Sequence, residues 1–391
     1  MRIRILSVLC LSILAAFLGA GVLVPILPLY AKGLGASGTV FGVIFSSFAL
    51  TLAISNPLVG KISDRIGYKP MIALGLGIHI PVALLYVIAT KPYHLIIIRL
   101  AEGPLAAMVV TVAMAYVGSI APKDKEGSYM GIFGTALFLG LGLGPLMGGY
   151  LTDAYNIRTP FYAMAALLAV SFILVLLLLP RRKGSPASYK KNDSEAAKRP
   201  IKEALRSDLM KGMLLFSLII AIGQSGLMVF LPLMAQGKQM TTTQIGILSA
   251  VIVLMAGGLQ IPFGYFANRY NKVFLLIAGV LIISVILAYI PLCSSFYFFL
   301  ALSVMGGVGS AMANPAATAM LVRESKTLGI GLGFALGLYN FAFGLGMIAG
   351  PFLSGLIMDI FSLDKVFYAN SAIFVLASTV IYQYTKGLKD I

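Results

Sequence analysis

Two charged residues lie within a stretch that is otherwise free of charge. From Tyr93 to Pro122 the only Asp, Glu, Lys or Arg residues are Arg99 and Glu102. A separation of three residues puts both side chains on one face of a helix. In apolar surroundings such charges are costly and by default indicate function. Glu102 could bind and release a proton while Arg99 tunes its affinity or binds a ligand; alternatively, the two form a self-neutralising pair that orients the helix.

Single polar, uncharged residues occur within other apolar stretches. An amide there either forms a hydrogen bond between helices, worth about 0.6 kcal/mol, or lines a ligand cavity. The candidates for a cavity lining are Gln224, Gln260, Asn314 and Asn340. His79 precedes Pro81 in a further apolar stretch, and we expect it to be structural.

Patterns typical of enzymes are absent from the sequence. There is no GxxxxGK[ST] phosphate-binding loop, which argues against coupling to ATP within this chain. No cluster resembles a metal site or a set of nucleophile, base and orienting group. We therefore expect no catalytic activity, no cofactor and no metal.

Composition places these residues in a membrane. Of the 391 residues, 59% are hydrophobic and 11% charged, and the mean hydropathy is +0.97. Soluble domains carry about 25% charged residues. Long uncharged runs predict an all-α integral membrane protein with twelve helices, at about 5–30, 40–60, 71–90, 93–119, 128–151, 160–180, 211–235, 243–264, 273–291, 296–322, 328–357 and 366–384.

The net charge of +16 has a topological meaning. With the N-terminus in the cytoplasm, 23 basic residues fall on the inner side, five on the outer side and Arg99 within a helix, which accounts for all 29. This asymmetry predicts a multi-pass protein of the cell (plasma or inner) membrane with both termini in the cytoplasm. It also argues against a nucleic-acid partner, because the charge marks a side of the bilayer.

An internal repeat divides the chain. Residues 18–29 align with 222–233 and 60–69 with 264–272 at an offset of 204, and 140–149 align with 346–355 at an offset of 206. The repeat predicts two parallel six-helix bundles, residues 1–180 and 208–391, joined by a cytoplasmic linker at 181–207. At the offset of 204 Gly67 corresponds to Asn271, which predicts a left-handed turn at both positions.

Two motifs have a physical reading of their own. In the loop 60–69, Gly60 would allow helices to approach closely, Gly67 can take a positive φ, and Asp64 and Arg65 can cap a helix or bridge the bundles. In the fifth helix small residues recur at intervals of four, and a proline allows a bend. That motif comprises Gly140, Gly144, Pro145, Gly148 and Gly149.

With these motifs the chain resembles the major facilitator superfamily, in particular its twelve-helix drug:proton antiporter branch. The loop from Gly60 to Lys69 is similar to the superfamily's signature loop, and the glycine motif is similar to that of the antiporters. The resemblance implies that Asp64 and Arg65 latch the cytoplasmic side, that the fifth helix prevents leak, and that the protein exchanges protons for amphiphilic drugs. Its partners would be small-molecule substrates, protons and the bilayer, and it would work as a monomer.

At one position the chain departs from the family. The motif of the fourth helix usually has Gln where Glu102 stands, and helix 1 lacks the acidic residue of some multidrug relatives. Glu102 is therefore the candidate coupling group. The motifs do not specify the substrate, so a sugar, metabolite or lipid exporter and an uncoupled facilitator remain alternatives, as does a membrane sensor or scaffold that does not transport.

Overall fold

The computed structural model describes residues 2–122, 125–180 and 204–386, so residues 181–203 of the predicted linker lie outside it. Thirteen α-helices are numbered here in chain order: α1 Arg2–Gly33, α2 Gly38–Ile66, α3 Tyr68–Ile88, α4 Pro92–Ile120, α5 Glu126–Ala154, α6 Thr159–Leu178, α7 Asp208–Gly237, α8 Thr242–Gly258, α9 Gln260–Arg269, α10 Lys272–Tyr289, α11 Phe296–Thr327, α12 Leu332–Ile360 and α13 Leu363–Thr385.

Each of the twelve predicted helices has a counterpart, and one is broken. The eighth, predicted as continuous over 243–264, consists of α8 and α9, which are bent by 42° at Leu259. The sequence around the break permits this bend: Pro262 has no N–H to donate to the carbonyl of Gly258, and its ring crowds that carbonyl. The preceding Gly257 and Gly258 further weaken the helix there.

The helices have the length and composition of membrane spans. Eleven described helices are long and apolar enough on their own, and the bent pair counted as one span gives twelve. The described residues contain no β-strand. Large apolar side chains such as Ile261 and Leu177 are 84% and 76% exposed, which suits contact with lipid chains. The chain is an all-α, multi-pass membrane protein, as the sequence predicts.

Two compact units make up the described chain. Unit 1 consists of residues 2–180 and 235–254, and unit 2 of residues 204–234 and 255–386. In unit 1, α1 packs on α5 and α6, and α4 packs on α2 and α3. In unit 2, α10 packs on α11 and α13, and α9 packs on α11. Residues 235–254 belong to unit 1, whereas the predicted halves, 1–180 and 208–391, assign them to the second half. The division into these two halves stays a prediction.

Side chains at several loops start the helices that follow. Ser37 Oγ accepts a hydrogen bond from the N–H of Val40 at the start of α2, and Ser362 Oγ accepts one from Lys365 at the start of α13, both at 3.4 Å. Such caps satisfy backbone donors that have no partner within the helix. These two caps help to fix where α2 and α13 begin.

Candidate functional site

The carboxylate of Glu102 is the centre of a buried polar cluster in unit 1. Glu102 is 1% exposed, and α4 places it ten residues after its first residue, roughly 15 Å along the helix axis. Its Oε2 accepts hydrogen bonds from Arg99 Nη1 and Tyr86 Oη, both at 2.8 Å. Its Oε1 lies 3.5 Å from His79 Nε2. Among the described acidic residues Glu102 alone lies in the middle of a helix.

Arg99 is held between this carboxylate and two aromatic rings of α2. Its guanidinium carbon lies 4.0 Å from the ring centre of Phe48 and 5.6 Å from that of Phe45. A desolvated cation over an aromatic face gains about 2 kcal/mol or more. The Nε atom of Arg99 is buried and has no hydrogen-bond partner among the described residues. The guanidinium therefore has a spare donor with which it can bind another acceptor.

Helix α3 supplies two more residues of the cluster: Tyr86, which sequence reasoning missed, and His79, which it expected to be structural. His79 and Tyr86 are seven residues apart, close to two helical turns, so they share a face. Tyr86 is fixed from two sides: its ring stacks on Phe161 with centres 5.0 Å apart, and its carbonyl accepts a hydrogen bond from the Tyr30 hydroxyl at 2.9 Å. The seven-residue spacing shows only that the two side chains share a face of α3, and it does not indicate that they meet Glu102.

A glycine next to the carboxylate lets α2 and α4 pack tightly. A Cβ on Gly103 would lie 2.6 Å from the backbone nitrogen of Leu52 and would also overlap Thr51 Oγ1. Further along, Thr111 Oγ1 donates to Asn56 Oδ1 at 2.7 Å between the same two helices. This contact brings Phe45 and Phe48 over Arg99.

The cluster has the parts needed to hold or move a proton. Three side chains that can donate hydrogen bonds converge on one carboxylate, so the ionised form is well solvated by the protein. The pairing of Arg99 with Glu102 predicted from their spacing is present. Whether the pair carries a proton or only orients α4 is a question for experiment. In the described part of the chain no group of three or more His, Cys, Asp or Glu side chains is placed to hold a metal ion.

Two of the four predicted amides meet in one cavity of unit 2. Gln260 of α9 and Asn314 of α11 line a space of about 880 Å³, together with Tyr339 of α12. Gln224 and Asn340 are not among the residues that line it. The cavity lies where α9 and α11 end and α10 begins, because Lys272, Arg323 and Lys326 also face it.

The glycine motif of α5 is a packing surface for α1. Cβ atoms on Gly140, Gly144 and Gly148 would lie 2.8, 2.6 and 2.8 Å from atoms of α1. The helix runs through Pro145 without a break. These three glycines allow the two helices of unit 1 to touch backbone to backbone, as small residues do in lipid.

The end of the same motif lies against the start of α8, also within unit 1. A Cβ on Gly149 would come within 2.9 Å of Thr243 Cα. The carboxylate of Asp153 accepts hydrogen bonds from the backbone N–H groups of Thr242 at 3.1 Å and Thr243 at 2.6 Å. An acidic side chain at a helix N-terminus is favourable both as a cap and toward the helix dipole. Sequence reasoning gave Asp153 no role.

The loop motif is only partly as predicted. Gly67 has φ of 102°, so its positive φ is confirmed, and Lys69 Nζ donates to the carbonyl of Leu176 on α6 at 2.8 Å. The expected close approach at Gly60 is wrong, because a Cβ there would have no heavy atom within 4 Å. Asp64 and Arg65 form no ion pair with another described residue, and their latch role remains untested.

The left-handed turn predicted at Asn271 is also wrong. Asn271 has φ of −60° and ψ of 118°, and its Oδ1 accepts a hydrogen bond from the N–H of Phe274 at 3.0 Å. It therefore caps α10. Asn is favoured both at helix caps and in left-handed turns, and here the cap is the reason for its presence.

Comparison with known proteins agrees with this architecture. The Major Facilitator Superfamily profile matches residues 9–236 and 213–387. An MFS-type transporter of Methanocaldococcus jannaschii is 30% identical over 379 residues, covering 96% of each chain. The quinolone resistance protein NorA of Staphylococcus aureus is 26% identical over 363 residues, covering 90% of this chain and 89% of NorA.

A solved structure supports the same fold. The inward-facing, unoccupied form of a bacterial homologue of the human lysosomal transporter Spinster superposes with a TM-score of 0.83 at 14% identity, over 98% of this chain and 97% of that one. At that identity the likeness concerns the fold alone. The family profile over nearly the whole length, the relative at 30% identity and the helical architecture agree: the chain belongs to the Major Facilitator Superfamily.

Proposed function

We propose that this chain is a proton-coupled exporter of amphiphilic small molecules, with Glu102 as the group that carries the proton. The observation that carries the proposal is the position of its carboxylate, which is 1% exposed at mid-helix and shared by Arg99, Tyr86 and His79. The similarity to NorA, a quinolone resistance protein, supports drugs as the substrate class.

The proposed coupling depends on competition for Arg99. While Arg99 donates to Glu102, the pair is neutral overall and the carboxylate stays ionised. When Arg99 turns its donors to a substrate, or when α3 and α4 separate, the carboxylate is left in apolar surroundings and takes up a proton. Restoring the pair releases the proton. These two states would be exposed to opposite sides of the membrane in turn, which produces exchange of protons for substrate.

The driving force is adequate for such a carrier. One proton that crosses a potential of 100 mV supplies about 2.3 kcal/mol, nearly a fiftyfold concentration ratio at equilibrium, since about 1.4 kcal/mol corresponds to a factor of ten. A single carboxylate is therefore enough. In this proposal the protein is a carrier and not an enzyme, it works as a monomer in the cell membrane, and both termini lie in the cytoplasm.

The test is transport by the purified protein in liposomes with a fluorescent quinolone. For Glu102→Gln we expect quinolone exchange without a gradient to stay within about twofold of the parent, because Gln keeps the size and a hydrogen-bond acceptor. Accumulation driven by a pH difference should fall at least tenfold. Asp364→Asn is the matched control, because it removes an exposed acid at the first turn of α13 and should leave both measurements unchanged.

Two outcomes would contradict the proposal. Full gradient-driven accumulation by Glu102→Gln would remove Glu102 from the coupling step. A parent protein that moves no quinolone and gives no resistance to a drug panel, yet exports sugars or lipids, would overturn the substrate class while leaving the family membership intact.

A further inference from the structure

The cavity of unit 2 carries more positive charge than its fold requires. Three cationic side chains line it, Lys272 at the start of α10 and Arg323 and Lys326 in the last turns of α11, and no Asp or Glu is among the lining residues. Like charges around one cavity repel each other. An anion in the cavity relieves that repulsion.

Nearby helix ends and acids cancel only part of this charge. The α11 C-terminus contributes about half a negative charge and the α10 N-terminus about half a positive charge, so their sum leaves the three cations in place. Glu324 is next to Arg323 in sequence, but its carboxylate accepts a hydrogen bond from Ser207 Oγ. Asp208 pairs with Lys211 at 2.8 Å. Neither acid lines the cavity.

The rest of the lining suits an organic ligand. The amides of Gln260 and Asn314 and the hydroxyl of Thr318 offer hydrogen bonds, while Pro315, Val322 and the ring of Tyr339 are apolar. A volume of about 880 Å³ is in the range of drug-sized ligand pockets. A ligand that matches this lining has an anionic head and an apolar body.

We infer that this cavity of unit 2 binds the phosphate, sulfonate or carboxylate group of an amphiphilic organic anion. Arg323 and Lys326 hold the anionic group together with Lys272, and Tyr339 and Val322 contact the apolar part. The same chemistry occurs in a free solute and in the headgroup of an acidic lipid. The site stands on unit 2 alone and does not depend on Glu102.

The orientation of the protein in the membrane is the competing reason for these cations, because basic residues at helix ends fix it. Arg269 provides the control: it is an exposed basic residue at the end of α9 and does not line the cavity. If the cations only set orientation, replacing Arg323 and Lys326 affects ligand binding no more than replacing Arg269.

The experiment measures binding of hexyl phosphate and of hexylammonium to the full-length protein in neutral detergent, without a gradient. We expect hexyl phosphate to bind at least tenfold more tightly than hexylammonium. Its affinity should fall at least tenfold at 1 M salt, where the Debye length is only about 3 Å. Arg323→Gln/Lys326→Gln should lose at least tenfold in affinity for hexyl phosphate, whereas Arg269→Gln should stay within twofold of the parent.

The outcomes separate the alternatives. Equal affinity of the parent for the two probes, or an Arg323→Gln/Lys326→Gln protein that binds hexyl phosphate as the parent does, would overturn the inference. The probe and salt comparisons need only the parent, so they decide the matter even where the double variant does not fold. In vesicles of phosphatidylcholine, added phosphatidylglycerol that displaces hexyl phosphate identifies a lipid headgroup as the natural ligand; unchanged binding identifies a solute.

Discussion

The pair of Arg99 and Glu102 shows what spacing alone can and cannot predict about a residue. Three positions apart on one helix, they had to share a face, and the 2.8 Å contact between them follows from that. The partners from α3 could not be derived in the same way. His79 and Tyr86 reach the carboxylate only because α3 and α4 pack side by side, which no local pattern specifies.

The same limit explains the error at Asn271. The residue type favours two local structures, a left-handed turn and a helix N-cap, and its alignment with Gly67 favoured the first. The choice depends on where α10 begins, and the free backbone N–H of Phe274 is satisfied by the Asn271 side chain. A residue's type narrows its roles, while the neighbouring backbone selects one of them.

A double-mutant cycle on Arg99 and Glu102 measures how strongly the buried pair depends on both partners. Arg99→Gln leaves the buried Glu102 carboxyl without its cation, so that it must either stay charged in apolar surroundings or take up a proton, and we expect a loss of about 3 kcal/mol or more in the free energy of unfolding, the cost of breaking a buried pair. Arg99→Gln/Glu102→Gln removes both charges and should recover most of that loss. Unfolding in mixed micelles followed by circular dichroism gives the values.

The cycle has a control on the protein's surface. Lys211→Gln/Asp208→Asn removes an exposed pair with the same 2.8 Å contact and should change the stability by less than about 1 kcal/mol. If Arg99→Gln were no more harmful than Lys211→Gln, the buried cluster would not be electrostatically coupled.

At the scale of helices, the sequence repeat reappears as a repeated packing contact. In unit 1, Gly140 and Gly144 of α5 lie against Leu14 and Leu18 of α1. In unit 2, Gly346 and Gly350 of α12 lie against Leu218 and Ile222 of α7, the positions that the offsets of 206 and 204 give. Small residues at fixed spacing predict close helix packing, because only close packing requires a missing side chain, but they do not specify the partner helix.

The bend between α8 and α9 is the element that the sequence reading missed. Pro262 stands inside an uncharged run that is long enough for a span, and in membranes such a proline is often tolerated by an unbroken helix. Indeed α5 runs through Pro145 without a break. Gly142 and Gly144 likewise precede Pro145 in the unbroken α5, so a proline with nearby glycines permits a bend but does not by itself produce one.

Replacing Gly144 tests the contact between α1 and α5. A methyl group at Gly144 would lie 2.6 Å from Gly21 Cα, so the helices must move apart, and we expect Gly144→Ala to destabilise the protein by about 1–3 kcal/mol. Gly134→Ala on the same helix is the matched control, because its Cβ would meet no heavy atom within 4 Å. That change should be neutral or stabilise by up to about 1 kcal/mol through helix propensity.

Thermal unfolding of the purified variants in one detergent compares the two. Equal midpoints for Gly144→Ala and Gly134→Ala would mean that the close approach of α1 and α5 does not limit stability. A lower midpoint for Gly144→Ala with unchanged quinolone exchange would make the motif a packing device; increased proton leak in liposomes would support the role in sealing that the family resemblance implies.

On the scale of the whole molecule, twelve spans and an uneven distribution of basic residues predict the orientation. In the predicted orientation, 23 of the 29 basic residues lie on the side of the N-terminus. The inverted orientation would require short basic loops to cross the membrane during insertion, which is unfavourable. The loops after α2 and α9 should therefore face the cytoplasm, and the loops before α6 and α11 the outside.

Single cysteines at exposed tyrosines and one isoleucine test this orientation in intact cells. In a background with Cys10→Ala and Cys293→Ala, we expect Tyr155→Cys and Tyr297→Cys to react with a membrane-impermeant maleimide added outside, since these side chains are 72% and 78% exposed. Ile66→Cys and Tyr270→Cys, both 57% exposed, should react at least tenfold more slowly until the cells are permeabilised. The reverse pattern would invert the topology, and with it the side from which a proton reaches Glu102, while equal labelling of all four would mean that the basic residues do not set one orientation.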